Sequence, residues 1–259
     1  MSDLQGKKAL VCGASQGIGR AAARELALRG CQVAVLARTQ EKLESLISEF
    51  PQNWQHRAIA VDISDRANLK SEVDNLLQEW GSVEILVCNS GGPKAGPLLE
   101  AREEEFLQAF NEHVLANTLL VKSLVPGMQG ARFGRIINII STSVKVPIPN
   151  LGVSNIIRAA VASWAKTLAM ELGPMGITVN NVLPGYTKTP RLEALIKAAA
   201  SREKKTEKEI IQMWEATIPL RRFADPIEVA KAIGFLASPG AAYISGINLP
   251  VDGGRTGCL

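Results

Sequence analysis

Short, wholly apolar runs alternate with helical patterns along the 259 residues, which predicts an α/β fold. The expected architecture is a doubly wound parallel sheet of about seven strands with helices on both faces. Three observations carry this reading. The apolar runs lack the in–out alternation of a half-exposed sheet, so both of their faces must be covered. Helical periodicity fills most of the gaps between them, as crossover connections require. A glycine-rich turn follows the first run directly and opens a helix.

The first strand is expected at residues 8–11, followed by Cys12-Gly13-Ala14-Ser15-Gln16-Gly17-Ile18-Gly19 and a helix over 20–28. Glycine allows a tight turn and a close backbone approach to a ligand. The helix start then offers free N–H groups and a positive dipole end to a phosphate. Strand, glycine turn and helix in this order predict a dinucleotide site. The second strand, 31–37, ends at Arg38-Thr39. Sites for NAD place Asp or Glu near this strand end to hold the ribose 2′-hydroxyl. No acidic residue occurs here before Glu41, and the arginine fork suits a 2′-phosphate, so NADP is favoured over NAD.

Further strands are expected at 57–63, 83–88, 135–140, 177–183 and 247–251, and helices at 68–80, 103–125, 151–172 and 226–236. In such sheets ligands bind at the carboxyl ends of the strands. Those ends read Asp62, Asn89-Ser90-Gly91-Gly92, Ser141 and Pro184-Gly185. Residues 186–222 separate the sixth strand from the last helix and are expected to form a substrate lid, with Leu192, Leu195, Ile196 and Trp214 as apolar lining.

The net charge of +4 is too small to argue for a nucleic-acid partner. The cluster from Arg202 to Glu209 alternates in sign and reads as a solvated helix face. No apolar stretch reaches membrane-spanning length and no secretion signal is evident, so the cytoplasm is the expected compartment. Cys12, Cys31, Cys88 and Cys258 lack metal-ligand spacing and are expected to be reduced thiols. Cys12 and Cys88 end strands that neighbour each other, and packing is favoured for them over a redox pair.

The ordered motifs resemble the short-chain dehydrogenase/reductase family from end to end. They are Gly13, Gly17 and Gly19; Asp62; Cys88-Asn89-Ser90-Gly91; Gly134-Arg135-Ile136-Ile137-Asn138; Asn180-Asn181-Val182-Leu183-Pro184-Gly185; and Val251-Asp252-Gly253-Gly254. The resemblance implies one Rossmann-type domain over 1–259 that passes hydride between NAD(P) and a carbonyl or alcohol, assembled as a homotetramer or dimer, with the homotetramer expected. It implies that Gly13, Ser15, Gln16, Gly17, Ile18 and Gly19 cradle the phosphates. It further places Asp62 at the adenine, Asn89, Ser90 and Gly91 at the adenosine ribose, and Pro184, Gly185, Thr187 and Thr189 beside the nicotinamide. The general pattern is similar to carrier-protein ketoacyl reductases. Arg132 falls at a basic position they use to meet acyl carrier protein, whereas Met175 stands at the second such position.

The catalytic positions depart from the family pattern. Ser141 fits the serine, but the tyrosine and lysine positions hold Ser154 and Arg158, and the asparagine position holds His113. A serine hydroxyl is a far weaker acid than tyrosine, and an arginine does not release a proton at neutral pH. Two readings follow. In the first, the chain reduces a hydrophobic carbonyl compound with an atypical proton donor: His113, or secondarily Tyr186, with Ser141 and Ser154 orienting the oxygen and Arg158 anchoring the ribose. In the second, it keeps the cofactor pocket but senses or binds rather than catalyses.

Overall fold

The computed structural model describes residues 3–258. Its strands are β1 (Lys8–Cys12), β2 (Gln32–Ala37), β3 (Arg57–Ala60), β4 (Ile85–Cys88), β5 (Gly134–Ile139), β6 (Ile177–Pro184) and β7 (Asn248–Val251). They pair in parallel throughout, in the order β3-β2-β1-β4-β5-β6-β7. The helices are α1 (Gly17–Leu28), α2 (Gln40–Ile47), α3 (Arg66–Trp80), α4 (Glu103–Phe110), α5 (Ala116–Gly130), α6 (Gly152–Leu172), α7 (Pro190–Glu203), α8 (Glu207–Ala216) and α9 (Pro226–Ala237).

The unbroken apolar strands follow from a covered sheet. Successive side chains point to opposite faces, and here each face meets its own helical layer. Ala9 and Val11 of β1 join a core with Leu26 of α1 and Ile233 of α9. Leu10 and Cys12 join the opposite core with Leu69 of α3 and Leu120 of α5. The same alternation holds in β4, with Ile85 and Val87 on one side and Leu86 and Cys88 on the other. Cys12, Cys31 and Cys88 are buried thiols, and burial pushes Cys12 and Cys31 up to about 12.

Local chemistry sets the helix ends. Asp65 caps α3 by accepting from the Asn68 N–H at 3.1 Å, and α3 stops at Gly81, whose φ is +77°. Asp225 and Glu228 form a capping box at α9, with Pro226 in its first turn. The long helix expected over 103–125 is interrupted. A π-helical turn, Asn111–Leu115, divides α4 from α5, and α5 runs on through Pro126. Within that turn the Asn111 side chain donates to the Ser64 carbonyl at 2.9 Å. The strand expected at 57–63 stops at Ala60, because the chain turns where the Asp65 N–H donates to the Asp62 carbonyl.

Helices α7 and α8 fall inside the expected lid and pack on a small core of their own, which includes Leu192, Ile196, Ile210, Ile218 and Phe223. Among the described residues no helix is long and apolar enough to cross a membrane.

Leu86 is fully buried. Leu86→Ala is expected to cost about 2–5 kcal/mol in urea unfolding, while Lys208→Ala on the exposed face of α8 stays within about 0.5 kcal/mol. Equal midpoints for the two variants would contradict the layered core.

Candidate active site

The order of the sheet reverses between β1 and β4, and the turns leaving these strands diverge there. Between them opens a cavity of about 810 Å³ that runs along the carboxyl ends of the strands to the lid. Its volume lies within the range of small-molecule and cofactor pockets.

One wall is the turn after β1, formed by Gly13, Ser15, Gln16, Gly17 and Ile18. Gln16 is the N-cap of α1 and makes no side-chain cap hydrogen bond, so the first-turn N–H groups stay open to an anion. Gly19 lies behind the lining rather than in it. A Cβ there would run into the Gly13 carbonyl oxygen and come within 2.7 Å of Asn89 Nδ2. A Cβ on Gly13 would meet the same amide at 2.6 Å. The Asn89 amide itself donates to the Gly13 carbonyl at 3.2 Å, tying the end of β4 to the turn. This close backbone cradle fits a pyrophosphate.

Arg38, at the end of β2, and Lys42, in the first turns of α2, also line the cavity. Asp62 lines it beyond β3, accepting from the Ser64 N–H at 2.9 Å and the Ser64 hydroxyl at 2.7 Å. These two hydrogen bonds hold its carboxyl below the usual range. Pro184, Gly185, Thr187 and Thr189 line the far side. There Thr187 donates to the Gly185 carbonyl, Thr189 donates to the Thr187 carbonyl, and Thr189 caps α7 by accepting from the Leu192 N–H.

The residues that the resemblance sets at the catalytic positions divide. Ser141, Ser154 and Arg158 all line the cavity. Ser141 lies just beyond β5, where its hydroxyl accepts from the Ser143 N–H at 3.1 Å. Ser154 and Arg158 lie one turn apart in α6, and both are buried. Arg158 donates from Nη1 to the Ile139 carbonyl at 2.9 Å, while its Nε–H has no partner. Burial, with repulsion from Arg191, pulls its pKa down to about 10, so it remains a cation near neutral pH.

His113 does not stand where a proton donor was expected. It is buried behind Ser90 and Gly91 and is not part of the cavity lining. Its Nε2 lies 3.0 Å from the Gly91 carbonyl, an acceptor, so Nε2 carries the hydrogen. Nδ1 then accepts from the Ser90 hydroxyl at 2.6 Å. Burial, reinforced by the Arg158 charge, drives its pKa to about 2. The imidazole is therefore neutral at working pH and holds no spare proton to deliver. Ser90, by contrast, lines the cavity, with its hydroxyl committed to that ring.

Tyr186 lines the cavity but belongs to the lid. Its ring stacks on Trp214 at 4.8 Å between centroids and meets Phe223 edge-on. Arg255 covers the ring, and its Nη2 donates to the phenolic oxygen at 3.4 Å. Burial raises the phenol pKa, which makes it a poorer acid than a free tyrosine. The sequence reading missed Arg191, which lines the cavity from the first turn of α7 and donates to the Pro93 carbonyl at 2.7 Å. The signal available was a lone basic residue after Thr189-Pro190, and helix starts often carry charge without function.

A family model described as enoyl-(acyl carrier protein) reductase matches residues 13–256. The 3-oxoacyl-(acyl-carrier-protein) reductase FabG of Vibrio cholerae is 35% identical over 254 residues, covering 97% of this chain and 98% of that protein. Among solved structures, YwfH, an NADPH-dependent reductase involved in bacilysin biosynthesis, superposes with a TM-score of 0.94 at 27% identity, over 98% of this chain and 100% of that one. L-sorbose reductase from Gluconobacter frateurii, complexed with NADPH and L-sorbose, gives 0.92 at 30% identity over the full length of both chains. With its parallel seven-stranded sheet and end-to-end matches, the chain belongs to the short-chain dehydrogenase/reductase family.

Proposed function

We propose that this chain is an NADP-dependent oxidoreductase that reduces the carbonyl of a substrate with an apolar portion. The observation that carries the reading is that one cavity holds both the glycine cradle with Arg38 and the cluster of Ser141, Ser154 and Arg158. The relatives point the same way, since two similar structures are described as NADPH-dependent or NADPH-bound reductases.

In this reading the open N–H groups of the β1–α1 turn hold the pyrophosphate, and Arg38 and Lys42 hold the 2′-phosphate. Asp62 meets the adenine, and Asn89 to Gly91 meet the adenosine ribose. Pro184, Gly185, Thr187 and Thr189 border the nicotinamide. When bound, NADPH supplies the hydride. Ser141 and Ser154 would orient the substrate oxygen, and Arg158 would anchor the ribose and supply a fixed positive charge to the oxygen as it becomes negative. The proton reaches the oxygen from water, because neither His113 nor Tyr186 is set up to provide it. His113 has a positioning role, holding Ser90 and Gly91.

The similarity to FabG makes a carrier-bound 3-oxoacyl thioester one substrate class. Arg132 is exposed just before β5, but Met175 leaves the second basic place uncharged, so a free carbonyl compound is the preferred substrate. The altered Ser154 and Arg158 are the observation behind the alternative reading, a cofactor-binding protein without turnover. NADPH consumption with a panel of ketones and acyl thioesters, beside a direct NADPH titration, separates the two. Tight binding without turnover across the panel would replace the enzyme reading with the binding one.

A homotetramer is part of the proposal. Leu107 and Phe110 on α4 and Ile156 and Met170 on α6 are exposed apolar side chains, the kind of surface that a second copy covers. Sedimentation is expected to give four copies, and a 27.8 kDa species at micromolar concentration would contradict it.

Arg38 is expected to make NADPH bind more tightly than NADH by roughly 1–3 kcal/mol. Arg38→Asp should remove that preference. Equal affinities in the unaltered chain would sink the assignment.

The neutral state of His113 has a stability consequence. Its folded pKa of about 2 lies below the ordinary 6.5, so the unfolded chain binds the extra proton first as pH falls. Stability from this group is complete above pH 6.5 and declines toward pH 2, by about 1.4 kcal/mol per pH unit. Urea unfolding at pH 7 and pH 5 should show a loss of about 2 kcal/mol from this group, and His113→Asn should abolish that share. An unchanged pH slope in the variant would refute the buried neutral state.

A further inference from the structure

The substrate end of the cavity holds more positive charge than its own side chains balance. Arg158 is 7% exposed and lines the cavity. Arg191 lines the same cavity from the lid, close enough that its charge opposes that of Arg158. Among the described residues, neither arginine forms an ion pair with an acidic side chain, although Glu112 and Glu203 also line the cavity. Glu203 is engaged with Arg202.

Two like charges facing one crevice are costly, and a buried guanidinium without an anionic partner is costlier still. Such an arrangement is relieved when an anion enters between them. The arginine fork is suited to a planar carboxylate. Beside the pair lies the apolar surface of the lid, with Leu192, Leu195 and the stacked Tyr186 and Trp214.

The geometry points to a substrate that carries a carboxylate on an apolar body, with the carboxylate held between Arg158 and Arg191 and the body packed against the Tyr186–Trp214 stack. The inference deepens the reductase reading by naming the class of its substrate. The competing occupant of the arginine pair is the cofactor itself, and the test is built to separate the two.

Phenylacetate, ionised at pH 7, and its uncharged isostere phenylacetamide are titrated into the chain with and without saturating NADPH, following Trp214 fluorescence against a Trp214→Phe control and heat. Phenylacetate is expected to bind at least tenfold more tightly than phenylacetamide. Arg191→Ala, at an exposed position where the fold is not at stake, should remove that tenfold preference while leaving phenylacetamide binding and NADPH affinity within about twofold. Arg158→Lys, which keeps the charge but cannot both hold the Ile139 carbonyl and present a second donor as the guanidinium does, should weaken phenylacetate several-fold.

Equal affinities for acid and amide overturn the inference, as does the absence of saturable phenylacetate binding at millimolar concentration. A tenfold loss of NADPH affinity in Arg191→Ala, with phenylacetate unaffected, also overturns it and gives Arg191 to the cofactor. If NADPH fails to bind the unaltered chain, the proposed reductase falls, whereas the titrations without cofactor still decide the carboxylate site.

Discussion

The architecture turns on one close contact, where the end of β4 meets the turn after β1. Asn89 donates its amide to the Gly13 carbonyl, and the space that side chains at positions 13 and 19 would need is filled by that amide and by backbone. Any Cβ at these positions must push α1 away from β4. Because α1 also packs against α9 across the same sheet face, the displacement would spread into the core that contains Val11, Leu26 and Ile233. The contact therefore sets three things at once. It fixes the direction in which α1 leaves the sheet, the opening of the crevice where the strand order reverses, and the exposure of the first-turn N–H groups that face the cavity. Glycine is required here by close packing of backbone on backbone, in addition to the positive φ at Gly13 and Gly17.

A second constraint supports the opposite end of the cavity. Amide side chains in a fully covered parallel sheet are costly unless paired. Asn138 of β5 donates to Asn181 of β6 at 2.9 Å, and Asn181 donates to Asn248 of β7 at 2.8 Å. Asn180 donates to the Ile244 carbonyl and accepts from the Ile247 N–H. This polar ladder specifies the register of the last strand, which an apolar edge would leave loose. The register carries Asp252 against Gly185, where a Cβ would come within 2.7 Å of the Asp252 Cα, and it brings Arg255 over Tyr186. The wall formed by Pro184, Gly185 and Thr187 is thus held from behind by the C-terminal tail.

These supports explain what could and could not be read from the chain. Strands were legible because burial on both faces leaves an unbroken apolar run, and the glycine turn was legible because strand, turn and helix are contiguous. The π turn at Asn111–Leu115 was not, since helical periodicity hardly registers one extra residue in a turn. His113 shows the limit for site residues. Its spacing assigned it to the family's asparagine position, yet whether its ring faces the cavity depends on Ser90 and Gly91, more than twenty positions away in the chain. Tyr186 lines the cavity next to Gly185, but its partners Trp214, Phe223 and Arg255 come from distant segments, and their packing decides where the hydroxyl goes. Arg191 became visible only through its relation to Arg158. Periodicity reports which faces are buried; it does not report which charges meet.

The altered tetrad gains a coherent sense from the same charge. Against the family's tyrosine–lysine pattern, Ser154 and Arg158 lose the titratable acid, leave a weakly acidic hydroxyl in its place and keep a cation one helical turn away. Two unit charges 4 Å apart interact by about 4 kcal/mol at an effective dielectric of 20, so a buried guanidinium is an effective stabiliser of negative charge even where it cannot transfer a proton. The neighbouring groups are consistent with that division. His113 is kept neutral by burial and by Arg158, and so adds no second charge to the site. Tyr186 is held in the lid with its phenol made less acidic. Among the described residues no acidic side chain forms an ion pair with Arg158. The side chains around Arg158 thus leave its charge uncancelled, and in the proposed reading a substrate presents negative charge, standing or developing, where the guanidinium can meet it.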